Sequence, residues 1–257
     1  MEKEQNKFVT SNLFEGMTSI SAVINSPLEN DRKIEKILID QTKRKAKAAE
    51  IAFLIAKSKE LNFEIEYVPS ELIDELTVGN THGGFLAFCT ERKIPALSVD
   101  KILPRCFYVY LEGIEDPYNF GYTLRSLYAA GVSGVVMPER NWMSAAGVVA
   151  RSSAGTSELM PLYCANGDVA IDLFKQCGYQ VLCAGIRDSV SVFDTTFLYP
   201  VLLVIGGEKR GISRNLLEKA DRIVRIDYGR SFRGSLSAAS AATVMAFEIF
   251  RQNKYQS

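Results

Sequence analysis

Histidine, paired cysteines and long apolar runs are scarce in this 257-residue chain, and each shortage removes a class of function. There is one histidine, His82, and the five cysteines form no C-x-x-C pair, so we expect no metal site. An odd number of such cysteines is typical of the reducing cytoplasm and not of a disulfide framework. No apolar run approaches the roughly 18 residues of a membrane span, and the first residues lack the apolar core of a secretory signal. We therefore expect a cytoplasmic protein that neither spans a membrane nor binds a metal.

Net charge is also lacking, because 30 basic and 30 acidic residues cancel. A polyanionic partner would therefore need local basic patches. Two such patches occur, and their members are Lys43, Arg44, Lys45 and Lys47 in the first and Arg222, Arg225, Arg230 and Arg233 in the second. Each patch is either a phosphate-binding surface or an ordinary solvated face, and the sequence leaves both interpretations open.

Strand and helix patterns alternate in the first ninety residues. The stretches 34–39, 63–68 and 83–88 have the pattern of strands, and 43–61 has that of an amphipathic helix with a basic first turn. Ser70 is predicted to cap another short helix. The stretch 93–105 carries prolines and little periodicity, so it is predicted to be a linker. The sequence thus predicts a small α/β domain over residues 1–92 and a larger domain over 106–257.

The larger region predicts a parallel sheet with helices on both faces. Its candidate strands are the apolar runs at 107–111, 132–137, 180–184, 201–205 and 223–226. Its helical stretches lie at 120–130, 144–151, 168–177, 214–219 and about 235–251. Strands that alternate with helices in this way define the α/β class.

The strongest candidate for a ligand site follows Val201–Ile205, a run typical of a strand buried on both faces. Gly-Gly-Glu at 206–208 comes next, and glycines at the carboxyl end of a strand allow the backbone to approach a ligand closely. A P-loop is excluded because Ile212 follows Gly211, and the glycine spacing also excludes a dinucleotide fingerprint. An ordinary strand-to-helix turn, capped by Ser213, is the alternative.

Two further polar clusters follow predicted strands and, with the glycine loop, match the motifs of a known family. Asp116-Pro117-x-Asn119-x-Gly121-x-x-x-Arg125 follows the strand at 107–111, and Ser235-Leu236-x-x-x-Ser240 opens the last helix. With Gly206-Gly207-Glu208-x-x-Gly211, they resemble the three motifs of the SpoU (TrmH-type) RNA 2′-O-ribose methyltransferases of the SPOUT superfamily. Residues from about 20 to 90 resemble the small ribosomal-protein-like RNA-binding domain that often precedes them. The resemblance covers nearly the whole chain.

The resemblance implies a fold, a cofactor and a partner. The fold would be a C-terminal α/β knot, a trefoil-knotted parallel sheet that binds S-adenosylmethionine. By position, the residues at the cofactor would be Gly206, Gly211, Ile226 and Leu236, with Ala184 and Gly185 close to the adenine. Family members are homodimers that transfer a methyl group to a ribose 2′-hydroxyl, and ribosomal and transfer RNA are both possible substrates here.

The resemblance also assigns residues to the reacting hydroxyl. Arg125 would contact the 2′-hydroxyl or the adjacent phosphate. Because a guanidinium stays protonated, we expect Arg125 to orient these groups and lower the pKa of the hydroxyl, with the base left open. Asn119 and Glu208 would position Arg125, and Ser235 would line the site. The third motif carries Ser237 where the family commonly has asparagine.

Two other functions remain open at the level of the sequence. Ser237 would fit a non-catalytic RNA-binding protein, such as a ribosome assembly factor on the same scaffold, which should bind S-adenosylmethionine weakly or not at all. The other possibility is a different methyl acceptor, such as a base atom. Cofactor affinity tests the first alternative, and identification of the methylated atom tests the second.

Overall fold

A computed structural model of the protein describes residues 12–27, 29–77, 81–139, 145–207 and 209–254. The elements of the first ninety residues are β1 (Leu13–Glu15), α1 (Gly16–Ile24), β2 (Ile34–Asp40), α2 (Ala48–Leu61), β3 (Glu64–Val68), α3 (Ser70–Leu76) and β4 (Phe85–Cys89). The later elements are β5 (Phe107–Leu111), α4 (Pro117–Ala129), β6 (Gly134–Met137), α5 (Ala146–Ser152), α6 (Thr156–Leu159), β7 (Leu162–Cys164), α7 (Gly167–Gln176), β8 (Gln180–Ala184), β9 (Val190–Ser191), β10 (Val201–Ile205), α8 (Arg214–Lys219), β11 (Arg222–Arg225) and α9 (Ala238–Asn253).

These elements cluster into two compact units. The first comprises Met1–Lys93 together with Asn141–Leu159, and the second comprises Ile94–Arg140 and Met160–Ser257. The helices α5 and α6 follow β6 in sequence but belong to the N-terminal unit. The domain boundaries expected from the sequence, 1–92 and 106–257 with a linker at 93–105, stay a prediction. No helix within the described ranges is long and apolar enough to cross a membrane.

The N-terminal unit is built on a four-stranded sheet in the order β1-β4-β2-β3. β4 is antiparallel to both its neighbours, and β2 is parallel to β3. One apolar core contains Phe14, Ile37 and Phe85 from the strands and Ala150 from α5. A Cβ on Gly147 would lie 1.9 Å from the carbonyl oxygen of Leu13, so only glycine lets α5 approach β1 this closely.

Two predictions for this unit are wrong in detail. The helix expected to start within the first basic patch begins at Ala48, and most of the patch lies in the 3-10 turn Gln41–Lys43 and the turns after it. Asp40 favours this local structure because its carboxylate accepts a hydrogen bond of 2.8 Å from the N–H of Thr42. Ser70 is the first residue of α3 and not its cap, and its hydroxyl donates to Asp40 at 2.9 Å.

The second unit contains a seven-stranded sheet in the order β7-β6-β5-β10-β8-β11-β9. Every pairing in it is parallel, which confirms the predicted α/β class. The strands β5, β8 and β10 match the predicted bounds to the residue. The predicted strand at 132–137 is shorter, and the predicted strand at 223–226 starts one residue earlier. The strands β7 and β9 were missed because three and two residues are too few to show a period.

The order of the strands reverses between β5 and β10, which lie side by side at the centre of the sheet. From β5 the chain continues outward through β6 and β7, whereas β10 has β8 and then β11 on its other side. Such a topological switch point is where open parallel sheets form a ligand crevice, outside the carboxyl ends of the strands. The polar and glycine-rich motifs of this chain follow these same strand ends.

Candidate active site

The segments after β8, β10 and β11 enclose a cavity of about 400 Å³, hereafter the strand-end cavity. Among its lining residues are five of the six predicted cofactor contacts, namely Ala184, Gly185, Gly211, Ile226 and Leu236. Ser235, predicted to line the reaction site, lies in the same wall. Residues more than fifty positions apart in sequence therefore share one cavity, because parallel strands deliver their carboxyl ends to one edge. Their individual roles stay predictions.

Gly206, the sixth predicted contact, is not in the cavity wall but supports it. A Cβ on Gly206 would lie 2.3 Å from the carbonyl carbon of Gly211, which does line the cavity. Gly211 has φ +64° and donates its N–H to the carbonyl of Gly207 at 2.9 Å. The glycine loop is thus a tight turn that is closed by contacts between backbones.

The alanine variant of Gly207 tests this close packing. A Cβ there would lie 2.1 Å from the carbonyl oxygen of Gly113, at the end of β5, so the two loops would have to separate. We expect Gly207→Ala to lower the free energy of unfolding by about 1–3 kcal/mol, as overpacking does, and to weaken S-adenosylmethionine binding at least ~10-fold. Urea titration and calorimetry measure the two effects. Gly229→Ala is the control, because its Cβ would meet nothing within 4 Å; equal behaviour of both variants would contradict the prediction.

The loop that carries Glu208 is tied to the start of α4. Glu208 itself lies outside the described residues, but the ammonium of its neighbour Lys209 pairs with Glu115 at 2.9 Å. The N–H of Ser213 donates to the carboxylate of Glu112 at 2.8 Å. Ser213 occupies the predicted N-cap position of α8, but its side chain makes no cap hydrogen bond. The acidic residues after β5 thus hold both sides of the glycine loop.

Asn119 lies in a smaller cleft of about 120 Å³ between these two loops, lined also by Lys209 and Asp116. Asp116 caps α4, because its carboxylate accepts the N–H of Tyr118 at 2.7 Å and Pro117 takes the first helical position. This cleft and the strand-end cavity share no lining residue, although Lys209 and Arg210, which line one each, are consecutive.

Arg125 lies further along α4 and lines neither cavity. Its side chain is exposed, and no other described residue pairs with its guanidinium. Arg125 is therefore not among the residues that line the strand-end cavity with the predicted cofactor contacts. An exposed guanidinium without a partner is free to bind a phosphate or a carboxylate that comes from outside the chain.

Sequence reasoning missed several residues of the strand-end cavity, among them Arg187, Arg210, Tyr228 and Met245. Tyr228 could have been predicted, because it lies in the polar segment that precedes the third motif. Arg225, a member of the second basic patch, also lines the cavity and pairs with Asp227 at 2.8 Å. Hydrogen bonds from Ser191 and Arg225 hold the pKa of Asp227 below its ordinary value, so this carboxylate stays charged beside the cavity.

Ser237, the departure from the family motif, has a structural role. Its hydroxyl accepts the N–H of Ser240 at 3.1 Å and so caps α9, which begins at Ala238 and not near residue 235 as predicted. Serine and asparagine are both good helix caps. The substitution therefore preserves the entry into the last helix.

An all-parallel sheet with an open cavity at the carboxyl ends of β8, β10 and β11 is typical of α/β proteins that bind a ligand at this edge of the sheet. Comparison with known families then identifies it. The sequence model of the SpoU rRNA methylase family matches residues 106–247, and one described as RNA 2′-O ribose methyltransferase substrate binding matches residues 15–95. The chain belongs to the SpoU rRNA methylase family.

Relatives agree with this assignment. A Staphylococcus saprophyticus protein, assigned by name to the TrmH family of tRNA/rRNA methyltransferases, is 30% identical over 90% of this chain and 94% of its own. The 23S rRNA (guanosine-2′-O-)-methyltransferase RlmB of Blochmanniella floridana is 27% identical over 96% and 97%. The AdoMet-bound rRNA methyltransferase of Sinorhizobium meliloti shares the fold, with a TM-score of 0.76 and 23% identity over 96% and 93%. The family and enzyme class predicted from the sequence, an RNA methyltransferase, are confirmed.

Proposed function

We propose that this protein transfers the methyl group of S-adenosylmethionine to a ribose 2′-hydroxyl of ribosomal or transfer RNA. The observation that carries the proposal is the convergence of predicted cofactor contacts, from Ala184 to Leu236, on one cavity of a family member. Apolar side chains such as Ile226 and Leu236 suit an adenine ring, and a wall of this kind is typical of cofactor sites. RlmB of Blochmanniella floridana, a relative over nearly its full length, is a guanosine-2′-O-methyltransferase.

The residues of the strand-end cavity fit S-adenosylmethionine. Gly185 and Gly211 leave backbone groups accessible for hydrogen bonds, while Arg187 and Arg210 offer cations to its carboxylate. When bound, the cofactor supplies a methyl group on a sulfonium, which is a good leaving group, so the protein's task is to align and activate a weak hydroxyl nucleophile.

Arg125 performs that task by orienting the phosphate and the 2′-hydroxyl and by lowering the pKa of the hydroxyl. Asn119 and Glu208 would keep Arg125 in position, and Ser235 would line the reaction site from the wall of the strand-end cavity. Arg125 is exposed and does not line the strand-end cavity of its own chain. We infer that a second copy completes the site.

Exposed aromatic residues on α4 and α9 support a homodimer. The two helices pack on one another. Tyr122 and Tyr128 on α4 are 50% and 43% exposed, and Phe247 and Phe250 on α9 are 42% and 37% exposed. Four large aromatic rings on two adjoining helices form the kind of patch that a partner surface covers. A dimer through this face would also bring the exposed Arg125 of α4 close to the second copy.

The knot belongs to the proposal as well. After β11 the chain returns to form α9, which packs against β10 on the far side of β8. On the way, Ile226 and Leu236 line the same cavity as Ala184 and Gly185 at the end of β8. A segment that passes the end of β8 in this way is what a C-terminal trefoil knot requires, and such knots are rare exceptions among folds.

The N-terminal unit is proposed to select the RNA. Lys43, Arg44 and Lys45 are exposed in the turns before α2, and the guanidinium of Arg44 stacks over the ring of Tyr67 at 3.6 Å. Such a cationic surface binds phosphates and makes the affinity for RNA depend on the salt concentration.

The five cysteines are free thiols, which fits the predicted cytoplasmic location.

Calorimetric titration with S-adenosylmethionine tests the proposal. We expect wild-type protein to bind it and Leu236→Arg to lose at least ~100-fold in affinity, because a longer, cationic side chain would occupy part of the cavity that would hold a cofactor with a positively charged sulfur. Leu198→Arg is the matched control, since Leu198 is exposed (48%) and does not line the cavity. Absence of binding by the wild type would favour the non-catalytic assembly factor. Mass spectrometry of digested RNA identifies the methylated atom. A methyl group on a base atom would show that the acceptor is a base and not the ribose.

A further inference from the structure

Residues 227–234, which lie within the segment between β11 and α9, carry two exposed aromatic rings beside the strand-end cavity. Tyr228 is 38% exposed and lines the cavity, and Phe232 is 59% exposed and does not. Their ring centroids are 5.8 Å apart and their planes are inclined by 57°. Rings this exposed leave apolar surface in contact with water in the free protein. A bound partner that covers them would remove this surface from water, which favours binding.

Each of the two rings lies close to backbone of the same segment. The hydroxyl of Tyr228 accepts the N–H of Leu236 at 3.2 Å, which ties its ring to the third motif. The ring of Phe232 lies against the backbone of Gly234, where a Cβ would come within 2.5 Å of the ring. The hydrogen bond restricts the ring of Tyr228, which lowers the entropy that this ring loses when it binds a ligand.

Two arginines are interleaved with the rings. Arg230 and Arg233 are both exposed, and no partner for either guanidinium occurs in the described part of the chain. The nearest acidic residue in sequence, Asp227, is already paired with Arg225. Aromatic rings that alternate with unpaired cations are typical of surfaces that bind single-stranded nucleic acid, where bases stack on rings and phosphates bind cations.

We propose that Phe232 and Tyr228 form a stacking platform for an unpaired RNA base next to the methylated nucleotide, with Arg230 and Arg233 on the flanking phosphates. This inference rests on the proposed function and makes the substrate a loop or a splayed-out strand, not a continuous duplex. The charge of the segment favours RNA over a second copy of the chain, because phosphates would neutralise the two unpaired cations, whereas the same face of a second copy would bring two further cations to the contact.

Binding of a fluorescein-labelled single-stranded 10-mer oligoadenylate, and of the same strand in a duplex, tests the platform by fluorescence anisotropy. We expect Phe232→Ala to raise the Kd for the single strand ~10-fold, the loss of one base–aromatic stack, and the Kd for the duplex less than ~2-fold. Phe232→Tyr should bind like the wild type, whereas Phe232→Leu should behave like Phe232→Ala, because leucine is apolar but has no ring face. Arg233→Gln should lower the slope of log Kd against log salt by about 1.

Phe193→Ala is the control, since Phe193 is a 46% exposed aromatic residue of the same unit outside the cavity. Unchanged single-strand affinity in Phe232→Ala, with wild type that binds both RNA and S-adenosylmethionine, would overturn the platform alone. A wild type that binds neither ligand would overturn the proposed function and the platform together. If Phe232→Ala converted a dimer into a monomer and Phe232→Leu restored the dimer, a second copy and not RNA would cover the rings.

Discussion

Arg125→Ala should reduce the rate of methyl transfer at least ~100-fold, the loss typical when one preorganised donor to the reacting group is removed. The affinity for S-adenosylmethionine should stay within ~2-fold of the wild type, because Arg125 is not part of the strand-end cavity wall. Single-turnover transfer of a labelled methyl group to RNA measures the rate, and calorimetry measures the affinity. A fall in rate without a fall in affinity would assign Arg125 to the reacting hydroxyl.

Two further variants make the result specific. Arg125→Lys keeps the positive charge but not the planar fork of donors, so it should recover only part of the rate. Arg214→Ala removes an arginine whose side chain is 92% exposed and whose pairing with Glu218 lies within α8. This control should transfer methyl groups at the wild-type rate. Loss of cofactor binding in Arg125→Ala would mean that its role has been misplaced, and full activity would mean that other groups orient the hydroxyl.

The family resemblance placed its cofactor candidates at strand ends, and five of the six line the strand-end cavity, although their roles stay predictions. Ala184 closes β8, Gly206 follows β10 and Ile226 follows β11. Parallel strands of one sheet bring such positions to a common edge without any further information. The shape of the wall was beyond the sequence: Tyr228 and Met245 line the cavity through a fold-back whose path no periodicity encodes.

The N-terminal unit shows the opposite case. The strand β1 and the helix α1 were missed, because their three and nine residues show no long period. The inclusion of Asn141–Leu159 in this unit could not be predicted either, since it depends on contacts between residues far apart in sequence. Glu158, for example, pairs with Arg32, and the local sequence around neither residue predicts this contact.

The Arg32–Glu158 pair is buried, and both side chains make further hydrogen bonds. The side chains are 2% and 3% exposed, and the guanidinium Nε lies 3.0 Å from a carboxylate oxygen of Glu158. That oxygen also accepts an N–H from the side chain of Asn30 at 3.0 Å, and the hydroxyl of Ser157 donates to the other at 3.2 Å. The guanidinium further donates to the carbonyl of Thr90 at 2.7 Å. These contacts bind residues from two distant parts of the chain into one unit.

Glu158→Ala should therefore lower the free energy of unfolding by about 3–5 kcal/mol, because it leaves the charge of Arg32 buried without a counter-ion. Urea denaturation of the full chain, followed by circular dichroism, measures the effect on the transition of the N-terminal unit. Glu218→Ala is the matched control: its pair is exposed, and such pairs contribute little, so its transition should be unchanged. An equal loss of unfolding free energy in both variants would mean that the buried pair stabilises the protein no more than the exposed pair does.

The double variant Arg32→Met with Glu158→Leu separates the cost of an unpaired charge from the value of the pair. Apolar residues of similar size replace buried ion pairs with little loss, so the double variant should regain most of the stability that Glu158→Ala loses. Amide hydrogen exchange adds a local readout. The segment 145–159 joins β6 to β7 in sequence yet packs with the N-terminal unit, so Glu158→Ala should raise its exchange rates while those of β5 and β10 stay slow. If protection from exchange were lost equally in both sheets, the pair would stabilise the whole chain and not the N-terminal unit alone.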